Sequence, residues 1–224
     1  MEVVISDDVR RAYGDLGLAF VEIRGMKIGV DSETVAESLR ETAERVSKTL
    51  ALDTVKDRAD FRAYRDFFWR LGVDPTKTRP ASEALIRRML KGSTVPRIND
   101  FVDAYNVASI ETGVPIAAFD MDLIGEDVTL RFSRAGEKFL GIGMPSGKEL
   151  AQGILVMSSG DDLIAIYPYR DAEDSKITLE TSDAVLISCG VPGISVDALA
   201  EAAGRGRDSV ISVCGGHPSR VKVV

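Results

Sequence analysis

Histidine is nearly missing from this chain. Of 224 residues only His217 is one, and cysteine occurs only at Cys189 and Cys214, too far apart for metal-ligand spacing. A histidine-based triad or a structural zinc site therefore has almost no material, and two isolated thiols do not make a disulfide framework. No apolar run approaches the roughly 18 residues that cross a bilayer. The first residues, MEVVISDDVRRAYGDLG, do not join a basic start to an apolar stretch, so no secretory signal is expected. Gly141-x-Gly143 is not followed by a helix carrying a third glycine, which excludes a dinucleotide fingerprint. These absences lead to the expectation of a cytoplasmic protein with reduced thiols, no membrane partner and no metal or other cofactor.

Net charge is −7, which argues against general nucleic-acid affinity and against DNA as a partner. Its distribution is uneven. Between Lys56 and Arg97 stand 11 basic and 5 acidic residues, while the rest of the chain holds 17 basic and 30 acidic ones. One positive face on an acidic body can steer a polyanion to one edge; helices with solvated, mixed faces are the alternative.

With 45% apolar and 28% charged residues, the chain suits one large domain with a small N-terminal addition. Glu2–Ile5 and Leu18–Ile28 read as strands. A helix starts at the Asp31-Ser32 cap and runs to about Leu50, with Val35, Leu39, Ala43 and Val46 on one side. These elements form an opening segment, residues 1–52, packed on a main domain of 53–224. The main domain begins with three helices. In Asp57–Leu71, Phe61, Tyr64, Phe67, Phe68 and Leu71 recur at helical spacing, and Trp69 is expected to pack beside them. Arg79–Lys91 and Arg97–Thr112 follow. From Pro115 the period changes to strands: 116–120, 127–133, 137–143, 153–159, 163–170, 175–180 and 184–190, separated by Gly, Asp and Ser turns. A helix over Ser195–Ala203 and a last strand over Ser209–Val213 close the chain. Helices segregated before strands indicate an α+β fold.

The stretch Val95–Asp122 sets Arg97, Asn99, Asp103, Asn106 and Asp120 into an apolar frame, where polar groups are costly unless they bond to each other or to a ligand. Asn99 is placed to cap the helix that follows it. Asp103 and Asn106, at i and i+3, share a helix side from which they can position a ribose, an amide or a water, or else bond the next turn. Tyr105 has an apolar body and a polar tip, suited to a pocket wall or to core. Asp120 with Asp122 is too few ligands for a metal. Arg134-Ala135-Gly136-Glu137 reads as a turn. The loop Tyr169–Ser175 gathers acidic residues, and if it folds over a pocket Glu173 can hold an amino group. His217 is expected to be exposed rather than catalytic.

In order along the chain stand VPRINDFVDAYN, ETGVPIAAFDMDLI, TLRFSRAGEKFLGIG, GILVMSS, and the Glu173 loop with ITLETSDAVLIS. This ordered set resembles the editing domain (the B3/B4 tRNA-binding domain) of the bacterial-type phenylalanyl-tRNA synthetase beta subunit, over roughly Arg58 to Ser188. The segment DFFWRLGVDPTKTRPASEALIRRML resembles that of freestanding B3/B4 proteins. The resemblance implies a three-layer α+β domain, helices segregated before a β-sandwich-like core, with a cleft for the aminoacylated end of tRNA. In the synthetase that cleft hydrolyses tyrosine wrongly attached to the phenylalanine tRNA.

Carried onto this chain, Asn106 matches the asparagine of the family's Val-Asp-x-x-Asn run, and Phe119 and Asp120 match its His-Ala-Phe-Asp strand. Glu173 falls on the glutamate that recognises the substrate amino acid, and Ser158, Ser159 and Gly160 lie near the pocket floor. Three departures stand out. Ala117 replaces the histidine of His-Ala-Phe-Asp, Tyr105 replaces the threonine before the helix asparagine, and the loop from Ser158 to Glu173 is shorter. They alter the side-chain pocket, so tyrosine specificity is not carried over. The expected function is a trans-acting aminoacyl-tRNA deacylase. Asn106 and Asp103 would orient ribose or water, and Glu173 would hold the α-amino group. Tyr105, Ala117, Phe119 and the Ser158–Gly160 floor would shape the pocket. Arg62, Arg65, Arg79, Arg87, Arg88 and Arg97 would hold tRNA phosphates, and an aminoacyl-tRNA synthetase is a further expected partner. The alternative is a non-catalytic tRNA-binding, RNA-binding or protein-interaction module that retains the fold.

Overall fold

The structure, a computed structural model, describes all 224 residues. Its centre is the sheet formed by β2 (Leu18–Arg24), β10 (Ala184–Cys189) and β3 (Ile116–Asp120), with the short β11 (His217–Pro218) and β12 (Lys222–Val223) pairing on β2. Both faces of this sheet are buried, and the side-chain period of two divides its residues between two cores. Leu18, Phe20, Ala117, Phe119, Val185, Ile187 and Cys189 point one way. Ala19, Val21, Ile23, Ile116, Ala118, Ala184 and Leu186 point the other.

On the second side lie α2 (Glu33–Thr49), α5 (Asp100–Thr112) and α6 (Val196–Cys214). Val35, Phe101, Ala104, Ala108, Leu199, Ala203 and Val210 supply their apolar stripes. On the first side lies a second sheet, ordered β1 (Glu2–Ile5), β4 (Asp127–Phe132), β7 (Leu155–Ser159), β8 (Asp162–Ile166) and β9 (Arg170–Asp171). Its Val3, Ile5, Val128, Leu130, Leu155, Met157 and Ile164 interleave with the central sheet. The result is three layers, helices on sheet on sheet, in the α+β class expected from the sequence. The first 52 residues supply β1 to one sheet, parallel to β4, and β2 to the other. A short α1 (Asp7–Ala12) links them. α3 (Ala59–Arg70) caps the sandwich through Tyr64 and Phe67, and α4 (Ala81–Leu90) packs with α2 and α5.

Four sequence expectations need correction. Ser209–Val213 is not a strand but the end of α6, because Leu199, Ala203, Gly206, Val210 and Cys214 continue one helical stripe. Residues 175–180 form a 3₁₀ turn and loop, held by Thr178 N donating to Thr181 Oγ1 at 3.0 Å. The strand over 137–143 shrinks to β5 (Lys138–Phe139), paired with β6 (Lys148–Glu149). Trp69 is 56% exposed, since Phe67 and Phe68 take the inward positions of α3 and leave it the outer face.

Candidate functional site

Strand register, parallel for β1 with β4 and antiparallel beyond, lays one row of side chains straight across the outer sheet. Ile5 pairs with Leu130, Leu130 with Met157, Met157 with Ala165, and Ala165 with Asp171. Directly paired residues share a face, so four apolar residues against the core are followed by a carboxylate. The facing wall of the central sheet carries Ala117 and Cys189, whose side chains are short. Where Ala165 and Ala117 leave the sandwich unfilled, a cavity of ≈ 100 Å³ opens, closed by Tyr167 to Asp171 along one side and reaching the exposed Arg79 ahead of α4.

Asp171 is half-buried and makes no side-chain hydrogen bond within the chain. Its neighbour Arg170 points away and donates from Nη1 to the carbonyl of Ile142 at 3.0 Å. Burial raises the Asp171 carboxyl from the usual 3.8 to about 7, with the Arg170 charge opposing only in part. The same burial, reinforced by Asp171, drives the Cys189 thiol upward, so it remains neutral and is no nucleophile. Tyr105 is also raised, by burial first and then by the charges of Asp171 and Asp103, so its phenol stays a donor beside this carboxylate. Two fully buried tyrosines brace the end of β10. Tyr64 donates to the Cys189 carbonyl at 2.8 Å, and Tyr167 donates to the Gly190 carbonyl.

Helix α5 places the other sequence-selected residues. Asn99 caps it, accepting from Val102 N at 2.9 Å, as expected. Asp103 is 1% exposed and fully engaged: its carboxylate accepts from Arg97 Nε at 2.5 Å and from Ile98 N at 2.9 Å. Its carboxylate therefore ties down the chain entering the helix. Asn106, one turn on, is half-buried and makes no side-chain hydrogen bond, and neither it nor Tyr105 lines the cavity. Tyr105 meets Phe101 edge to face at 5.9 Å. Phe119 is wholly buried in the inter-sheet core and Asp120 bonds Thr181 Oγ1 at 2.5 Å and Asp122 N at 2.9 Å, so neither lines the cavity. Glu173 is ion-paired with Lys176. Ser158 accepts from Arg131 Nε at 2.9 Å, Ser159 accepts from Gly125 N at 2.9 Å, and Gly160 turns the β7–β8 hairpin with φ +55°. None of these three lines the cavity. Arg131 forks onto Glu137, which makes Arg134–Glu137 a bonded turn.

The six selected arginines divide by function. Arg65 and Arg87 flank Glu83, which is 0% exposed, at 3.1 Å and 2.7 Å, and Arg97 is held by Asp103. Arg62, Arg79 and Arg88 are exposed. A wider concavity, ≈ 510 Å³, lies elsewhere and is rimmed by Glu2, Asp122, Glu126, Asp127 and Asp183 with Arg24 as its only basic side chain, a balance that repels a polyanion. No three histidine, cysteine or carboxylate groups are arranged to hold a metal ion. Sequence reasoning missed Asp171 because it stood inside an acidic loop. The signal available was its place two residues past Tyr169 and four past Tyr167, on an alternating apolar face.

Residues 63–210 match the model of the B3/4 domain. The chain is 34% identical over 112 residues to the phenylalanine–tRNA ligase beta subunit of Geobacter metallireducens, covering 49% of this chain and 14% of that one. It is 25% identical over 196 residues to the same subunit of Desulfotalea psychrophila, covering 81% of this chain and 24% of that one. The chain thus spans less than a quarter of these relatives. Its fold superposes on an N-terminal fragment of the phenylalanyl-tRNA synthetase beta subunit from Pyrococcus horikoshii with a TM-score of 0.51 at 13% identity, over 97% of this chain and 50% of that fragment. A three-layer fold, a cavity between its sheets and a family match spanning both lead to one conclusion: the chain belongs to the B3/4 domain family.

Proposed function

We propose that this protein is a trans-acting aminoacyl-tRNA deacylase, and the observation that carries the reading is the inter-sheet cavity with an unpartnered carboxylate in a B3/4 domain. An apolar sandwich that served only as scaffold would fill this space, and here a half-buried carboxylate without a side-chain partner lines it instead. In the proposed reaction a water adds to the ester carbonyl carbon, the bond to the ribose oxygen breaks, and the water's proton passes to that oxygen. Free amino acid and uncharged tRNA leave. An ester is already activated, so holding it beside a positioned water accounts for much of the acceleration without a metal or histidine. Asn106, whose half-buried side chain has no hydrogen-bond partner and which does not itself line the cavity, is the proposed group that orients ribose or water outside it. Asp103 holds Arg97 and the start of α5, and so keeps Asn106 in place. Exposed Arg62, Arg79 and Arg88 are the proposed phosphate contacts, and a synthetase that forms the mischarged ester is the proposed upstream partner.

The test is ester loss across a panel of aminoacyl-tRNAs. Hydrolysis of at least one ester is expected, with Asn106→Ala lowering it about 100-fold if the amide stabilises the developing charge. Survival of every ester while tRNA still binds would replace this reading with a non-catalytic tRNA-binding module. Ala117 in place of the family histidine, with Asp103 and Glu173 already engaged by Arg97 and Lys176, is what favours that second reading.

A further inference from the structure

We infer that the cavity takes the aminoacyl group of a small amino acid, with the Asp171 carboxylate accepting from its α-ammonium and with aromatic side chains excluded. The inference rests on the deacylase reading for its ester but on the cavity alone for its size and charge.

Size comes first. The space is ≈ 100 Å³, bounded by Ala117, Ala165, Met157 and Cys189. An apolar cavity of about 150 Å³ accommodates benzene, so a phenol ring does not enter this one. A methyl, hydroxymethyl or branched three-carbon side chain does. Enlargement is resisted from behind: Met157 and Cys189 are 0% and 4% exposed, and Tyr64 and Tyr167 lock the end of β10 through the Cys189 and Gly190 carbonyls.

Charge comes second. The row Ile5, Leu130, Met157, Ala165, Asp171 puts a carboxylate on a core-facing position. The nearest guanidinium is bonded to Ile142 instead. Glu173, expected to hold the α-amino group, has Lys176 as its partner. A carboxylate in an apolar wall with no partner in its own chain suits a ligand that brings a cation and N–H donors, and the α-ammonium of an aminoacyl ester is both. Around Asp171 the other ionisable groups are Arg170, Arg79, Tyr105, Tyr167, Tyr169 and Cys189. The two arginines are the only cations among them.

Binding of non-hydrolysable 3′-aminoacylamido-adenosines to the full chain tests both claims. Alanyl, seryl and threonyl analogues are expected to bind more tightly than the tyrosyl analogue. N-acetylation of the alanyl analogue should weaken it about 10- to 100-fold, the loss of one charge-assisted hydrogen bond. Asp171→Asn should remove the difference between free and acetylated forms, and Ala165→Leu should fill the space and abolish binding of all. Tyrosyl binding equal to alanyl overturns the size claim, and indifference to acetylation overturns the role of Asp171. If the size preference holds but no aminoacyl-tRNA ester is hydrolysed, the pocket stands and the deacylase reading fails.

Discussion

Glu83 is a fully buried carboxylate and Asp171 a half-buried one that lines the cavity, and they predict opposite mutational behaviour. Glu83, between Arg65 and Arg87, is compensated within the fold. Glu83→Ala would leave two guanidinium groups facing an empty, dry site, and removing one partner of a buried pair costs about 3–5 kcal/mol. Urea denaturation should show that loss with an unchanged m-value. Asp171 is uncompensated. A carboxyl raised from 3.8 to about 7 binds its proton more tightly in the native state, so its contribution erodes stability as pH rises through that window. Asp171→Asn should therefore raise the melting temperature at pH 8 and change it little at pH 4, with Arg170, Arg79, Tyr105 and Cys189 as the neighbours that set the midpoint. A variant more stable at high pH and poorer in ligand binding is the signature of a group retained for function.

Elements are where the sequence was read most easily. The aromatic stripe of α3, the Asn99 cap of α5 and the strands β2 and β3 each rest on neighbours within a few residues, and each formed where the sequence places it. Asn99→Ala should cost about 1 kcal/mol, as for other helix caps, measurable in chemical denaturation. Gly113 ends α5 with φ +77°, and an added Cβ there would collide with the Asp60 carboxylate. Gly113→Ala should destabilise by more than the roughly 1 kcal/mol of the backbone preference alone, because the α5–β3 connection cannot move without shifting Ala117. The misread elements share one cause. Residues 209–213 are β-branched enough to suggest a strand, yet their inward positions at Gly206, Val210 and Cys214 sit on the stripe begun at Leu199. Packing on the central sheet overrides local propensity there.

Across the whole molecule, the positive segment 56–97 is partly consumed by internal pairing. Arg65, Arg87 and Arg97 neutralise Glu83, Asp103 and Asp100, which leaves Arg62, Arg79 and Arg88 exposed to meet a phosphate, Arg62 with only a solvent-exposed pair to Asp57 at 3.9 Å. Neutralising those three should flatten the dependence of log affinity for tRNA on log salt by about 2 to 3. Arg65→Ala should instead act through stability. Filter binding of the variants at several salt concentrations separates the two, and a triple variant with an unchanged slope would move the tRNA face elsewhere.

Local periodicity determined the helices, most strands and the α+β class, because hydrogen-bonding and amphipathic patterns are short-range. The ordered motifs pointed to the B3/4 family and to the stretch Val95–Asp122. The sequence could not say which polar groups were already partnered. Asp103 and Glu173 looked free and are engaged by Arg97 and Lys176, while Asp171 looked like one of several loop acids and is the one whose unpaired carboxylate lines the inter-sheet cavity. That distinction depends on strand register and on the approach of two sheets joined by distant parts of the chain. Such contacts are long-range, and only tertiary structure decides them.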